Sequence, residues 1–138
     1  MAPSIAFIWI RTSASLLMPI EDLAKAQILR ILEIHQGVNA RISKVELLRG
    51  VNRAIFNPKD HISDRRMRIF INQLRTETTA GALICSSLDG GYYMATSTRE
   101  LDAFLQTEKN RAKSIYTRVR HQEQHASERL RGAQEKLL

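Results

Sequence analysis

The chain has 138 residues, 43% of them apolar, which supports one hydrophobic core and is too short for two independent domains. Lysine and arginine number 21 against 14 aspartates and glutamates, a net charge of +7 that points to an anionic partner, nucleic acid ahead of a membrane surface. A single cysteine excludes an internal disulfide framework and a thiolate-rich zinc site, so an intracellular protein is expected.

Residues 1–17 differ in pattern from the rest of the chain. The apolar run from Ile5 to Ile10 covers six positions with no basic residue before it, short of the roughly 7–15 of a signal h-region and the about 20 of a membrane span. Neither targeting nor membrane insertion is expected. The segment reads either as a disordered N-terminal arm, with Met18 as an alternative start, or as an added strand that packs Trp9 onto the domain or a partner.

From Pro19 the apolar positions Ile20, Ala24, Ile28, Ile31, Leu32 and His35 recur at helical spacing, with Glu21 and Asp22 in the first turn and Gly37 at the end. A short extended segment, Val38 to Ile42, leads to Ser43-Lys44-Val45-Glu46, a capping box that opens a second helix. That helix is expected to bury Val45, Leu47 or Leu48, and Val51. Asn57-Pro58-Lys59-Asp60 interrupts the pattern, and Ser63-Asp64 starts a third helix with Met67, Phe70, Ile71 and Leu74 on its apolar side. The connection before it is longer than usual for paired helices.

Beyond the third helix the period falls from about four to two. Leu83 to Ser86 and Tyr92 to Ala95 are short runs joined through Ser87-Leu88-Asp89-Gly90-Gly91, and the Asp-Gly step signals a hairpin. A second capping box, Ser97-Thr98-Arg99-Glu100, opens a helical stretch to residue 137 that contains no proline and a single glycine, Gly132. Continuous over that range, the helix is about 60 Å long. Leu101, Leu105, Ala112, Ile115, Val119, Ala126, Ala133 and Leu137 lie near a 4-3 spacing, interrupted by Glu108 and Gln122. The half through Val119 is expected to pack on the domain and help form a homodimer. The remainder, with Arg118, Arg120, Arg129, Arg131 and Lys136, is expected to be exposed.

Charge is distributed along these elements. Residues 41–75 hold nine basic and three acidic side chains, residues 76–108 one basic and five acidic, and residues 109–138 eight basic and three acidic. Both basic blocks are interleaved with aliphatic residues, so they are faces of folded elements and not disordered tails. On the third helix, at 100° per residue, Arg65, Ile69 and Asn72 fall opposite the apolar side, with Arg66, Arg68 and Gln73 on the flanks.

The order helix, short extended segment, helix, helix, hairpin resembles the winged helix-turn-helix domains of phage- and prophage-encoded DNA-binding proteins. The resemblance covers about three quarters of the chain, from Ile20 to Arg120. It is carried by Arg41-Ile42-Ser43-Lys44, Ser63-Asp64-Arg65-Arg66-Met67-Arg68 with Leu74-Arg75, Ile84-Cys85-Ser86-Ser87 before a Gly-Tyr-Tyr strand, and Arg111-Ala112-Lys113-Ser114. It implies an α+β, mainly α fold: a three-helix core with a β-hairpin wing over residues 18–97, then a long C-terminal helix over 98–138. It also implies a transcription regulator that binds double-stranded DNA as a homodimer in the cytoplasm or nucleoid of a host cell, with the third helix in the major groove. Arg65, Arg66, Arg68, Asn72 and Gln73 are the base-reading candidates, since arginine grips guanine with two bonds and asparagine or glutamine grips adenine. Arg41, Lys44, Arg49, Arg53, Lys59 and Arg75 are the candidates for phosphate contacts. The wing tip has no basic residue and one carboxylate, so little contribution to DNA is expected from it. Two other readings remain: a replication or recombination accessory that binds an origin, and an interaction module that docks on a host protein such as RNA polymerase.

Catalytic chemistry finds no support. His121 and His125 are four apart with no glutamate between them in the metalloprotease arrangement and no third ligand; Cys85 has no basic neighbour in sequence; Gly90-Gly91 leads into a strand with no Gly-Lys-Ser/Thr behind it. No enzyme, metal or cofactor is expected.

Overall fold

The computed structural model describes residues 18–137, and the expected N-terminal arm lies outside them. The fold is α+β and mainly helical, with a small antiparallel sheet and a long C-terminal helix. It divides into a compact unit that ends at Leu101 and a second that begins at Asp102.

Helix α1 (Ile20–Leu32) buries Ala24, Ile28 and Leu32 at intervals of four, with Ile20, Leu23, Leu29 and Ile31 partly covered beside them. It stops short of the expected end at Gly37, and His35 lies beyond its last turn. The reason is competition for backbone partners. The His35 carbonyl accepts from the Met94 amide at 2.9 Å, and the Gly37 amide donates to the Met94 carbonyl at 2.8 Å, bonds that a continued helix would forfeit. The segment expected to be extended is a 3-10 turn over Val38–Ala40 and then a two-residue strand, β1 (Ile42–Ser43).

Helix α2 (Lys44–Arg53) starts where the Ser43 hydroxyl accepts from the Glu46 amide at 3.2 Å. Leu47 and Val51 are fully buried and Leu48 partly so, whereas Val45, expected in the core, is exposed. At 100° per residue Val45 stands about 160° from Leu47, on the solvent side.

The long connection after α2 is pinned by side-chain hydrogen bonds. The Asn52 side chain donates to the Ile62 carbonyl at 3.0 Å and accepts from the Ile62 amide at 2.8 Å, closing the loop at its far end. Ile55 and Ile62 are both buried, so the loop adds two aliphatic side chains to the core. Within it, the Asn57 side chain caps a 3-10 turn at Pro58–Asp60, and the His61 ring bonds to the Ile55 carbonyl.

Helix α3 (Asp64–Glu77) begins at Ser63, whose hydroxyl accepts from the Arg66 amide at 3.2 Å. Met67, Phe70, Ile71 and Leu74 are all buried, the four positions that the helical period marks. The helix ends under Thr78, whose hydroxyl donates to the Leu74 carbonyl and accepts from the Gly81 amide. A Cβ at Gly81 would overlap the Leu74 carbonyl, so only glycine lets the chain fold back this closely.

Strands β2 (Ile84–Ser86) and β3 (Gly91–Met94) form the expected hairpin, with Ile84 opposite Met94, Cys85 opposite Tyr93 and Ser86 opposite Tyr92. The turn uses Gly90 at φ +87. Strand order is β1-β3-β2, because Ile42 and Ser43 pair with Tyr92 and Gly91 on the other side of β3. All four residues of β3 are buried, as a central strand requires, which hides the alternation seen in a half-exposed strand.

Helix α4 (Thr98–Leu137) runs unbroken for 40 residues. Glu100 organises its start. Its amide donates to the Ser97 hydroxyl, and its carboxylate accepts from the amides of Thr96 and Val38 at 3.0 and 3.3 Å. The glutamate of this capping box therefore ties the first turn to the 3-10 turn after α1. No residue of α4 is buried, and Leu105, Ile115 and Val119, on its expected apolar side, are exposed.

Candidate nucleic-acid interface

The solvent side of α3 is set by its core side. With Met67, Phe70, Ile71 and Leu74 inward, Arg65, Ile69, Asn72 and Thr76 stand together on the opposite face, all exposed. Among the described residues, the Arg65 guanidinium has no hydrogen-bond or ion-pair partner, so nothing in the fold competes for it. Arg68 pairs with Asp64 one turn earlier at 3.3 Å, a surface ion pair of little net strength. Arg66 lies over the Phe70 ring at 5.3 Å from its centroid, and Lys25 of α1 approaches the same ring at 5.7 Å. Both arginines are held loosely enough to exchange for an external anion.

Gln73 and Asn72 differ from each other. Asn72 is exposed and makes one long contact, accepting from Arg75 at 3.5 Å. Gln73 is half-buried, and its Oε1 is shut off from solvent without a hydrogen-bond partner. A side chain held that way is poorly placed to reach a base edge. Thr76 shares the exposed face, though its hydroxyl turns back to the Asn72 carbonyl at 3.0 Å.

The candidates for phosphate contacts fall into two groups. Lys44, Arg49, Arg53 and Lys59 are exposed, and among the described residues their charged groups have no side-chain partner. Arg49 and Arg53 are four apart on the solvent side of α2, beside Val45, and Lys59 sits on the 3-10 turn between α2 and α3. Arg75 and Arg41 are committed within the fold. Arg75 is half-buried; it donates to the Ile84 carbonyl at 3.0 Å and to the Ser86 hydroxyl at 2.7 Å, and lies over the Tyr92 ring at 6.0 Å. It is a strut between α3 and the hairpin. Arg41 donates to Asp89 at 2.8 Å and to the Val38 carbonyl at 3.0 Å.

That pair alters the electrostatics of the hairpin tip. Asp89 accepts from the Ser87 hydroxyl, from Arg41 and from the Gly91 amide, and these bonds, the hydroxyl's first among them, hold its carboxyl at about 2. Its charge is met by Arg41, and Leu88 beside it at the tip is almost fully exposed. A second exposed apolar side chain, Phe56, stands on the loop after α2. Sequence periodicity passed over both, since each lies in a turn outside any apolar pattern.

Elsewhere, burial pushes the Cys85 thiol up to about 11, away from nucleophilic chemistry at neutral pH. His121 and His125 are exposed on α4, and among the described residues no three His, Cys, Asp or Glu side chains converge as metal ligands. Among the same residues, no helix is long and apolar enough to cross a membrane. Protein-family models, curated proteins and solved structures provide no match to the chain.

Proposed function

We propose that the chain is a sequence-specific double-stranded DNA-binding protein, a winged helix-turn-helix of phage type that regulates transcription and reads the major groove with α3. The observation that carries this reading is the exposed face of α3, where Arg65, without a partner among the described residues, stands with Asn72 and Ile69, flanked by Arg66 and Arg68. Arginine and asparagine are the side chains suited to guanine and adenine edges, and Ile69 suits a thymine methyl. Lys44, Arg49, Arg53 and Lys59 precede this helix in sequence, and among the described residues their charged groups have no side-chain partner, as phosphate contacts require. The element order α1, β1, α2, α3, β2, β3 and the strand order β1-β3-β2 support the winged arrangement. Arg41, Arg75 and Gln73 drop out of the contact set, because each is engaged or enclosed within the unit.

Binding of the full chain to pooled random duplexes, selected over several rounds and read by fluorescence anisotropy across a salt series, tests the proposal. Arg65→Ala and Asn72→Ala each cost about 1–3 kcal/mol on the selected site and relax its sequence preference. Arg49→Ala or Lys59→Ala weakens all sequences alike and flattens the salt slope by about 1. Undetectable or salt-insensitive binding sinks the reading. It would favour docking on a protein instead, for which Phe56 and Leu88 are among the exposed apolar side chains.

A further inference from the structure

The apolar stripe of α4 is the largest feature that the fold leaves unexplained. Leu101, Leu105, Glu108, Ala112, Ile115, Val119, Gln122 and Ala126 succeed one another at alternating intervals of four and three, so they line one side of the helix. None is buried, and Leu105, Ile115 and Val119 are about 40% exposed or more. A helix with such a line in water gains by covering it with another of the same period.

We propose that this stripe pairs with the same stripe of a second copy, with the two helices parallel and in register. Flanking charges select the occupant and its direction. In a parallel pair, the residue just before each of Leu105, Ala112, Val119 and Ala126 meets the residue five positions later in the other copy. Phe104 then meets Lys109, Arg111 meets Tyr116, Arg118 meets Glu123, and His125 meets Leu130. One contact is an ion pair and none joins like charges. In the antiparallel pair that layers Ala112 on Ile115, Arg111 meets Arg118 and Asp102 meets Glu123, two repulsive contacts. Sliding that pair by seven residues either way sets Arg111 or Arg118 against its own copy. Glu108, the one acid within the stripe, meets its own copy in the parallel pair, a single like-charge layer that the Arg111 guanidinium, 3.7 Å away in the same helix, partly offsets, against two such contacts in the antiparallel pair.

This inference rests on the two-copy DNA reading for its purpose and not for its test. Parallel helices tether both N-terminal units at the same end of the pair, as two recognition helices on one two-fold site require. An antiparallel pair would tether them at opposite ends.

The test uses the full chain without DNA. Sedimentation equilibrium is expected to show a reversible dimer; Arg118→Glu weakens it about tenfold, and adding Glu123→Arg restores it. In a Cys85→Ala background, Ala112→Cys is expected to form a disulfide dimer under mild oxidation. A mixture of Ala112→Cys and Ile115→Cys chains should yield the two like dimers and little mixed species. A chain monomeric at every concentration overturns the proposal, as does one that stays monomeric while binding phosphatidylserine vesicles through the stripe. Preferential mixed disulfides would mean an antiparallel pair and overturn the orientation. A monomer that still binds duplex DNA in a salt-dependent way leaves the DNA reading standing while this one falls.

Discussion

The two basic blocks, residues 41–75 and 109–138, carry nearly equal excess charge and stand in opposite relations to apolar burial. In the first, Met67, Phe70, Ile71, Leu74, Leu47 and Val51 are buried, and the cations are sorted by that burial into a solvent face and a few struts. In the second no described residue is buried, so its eight cations and its part of the apolar stripe are exposed together. Net charge alone does not distinguish these cases. What a basic residue does depends on whether a core fixes the direction in which it points and which backbone groups it meets.

Substitutions at the same residue class in the two regions should separate them most clearly. Phe70→Ala removes a ring that is 3% exposed and is expected to cost about 3–5 kcal/mol in urea unfolding of the whole chain. Val119→Ala on α4 should leave the unfolding of the first unit unchanged. A comparable loss from both would end the contrast between the two blocks.

A smaller effect tests the loop. Asn52→Ala strands both the amide and the carbonyl of Ile62 and should lower stability by about 1–3 kcal/mol, with faster hydrogen exchange confined to residues 54–63. Arg75→Ala is expected to cost about 1–2 kcal/mol of stability with no change in the salt slope of DNA binding. Arg49→Ala should give the reverse, a flatter slope at constant stability. Exchange of these two outcomes would return Arg75 to the phosphate contacts.

The weakest effect concerns Asp89, held at about 2 by the Ser87 hydroxyl and the Arg41 guanidinium. A carboxylate depressed in the folded state stabilises above its unfolded value, near 3.9, and that contribution is lost as pH falls toward 2. The hairpin should therefore hold through pH 4 and loosen between about pH 4 and 2. An NMR titration of Asp89 reads this directly, and a midpoint near 3.9 would dissolve the Arg41 contact.

Much of this architecture was legible in the amino-acid order, and the gaps have a common cause. Helix α3 was legible because Met67, Phe70, Ile71 and Leu74 repeat the period of the structure that buries them, with Ser63 marking the start. The hairpin was legible from Asp89-Gly90. The end of α1 was not, since the backbone of His35 is claimed by Met94, 59 positions later. The roles of Asn52, Arg41 and Arg75 were hidden for the same reason: each is decided by a partner that only the closed fold supplies. Counting charge could place nine cations in one block and could not reveal that two of them were already spoken for.

The order of the strands also bears on how the protein avoids its own kind. The longest strand, β3, lies in the middle, and the outer strands have only two and three residues. A foreign strand laid along either edge finds almost nothing to pair with, and on β2 the Arg75 side chain already occupies the Ile84 carbonyl. The same bond that braces helix against hairpin thus takes up an edge carbonyl that an added strand would need.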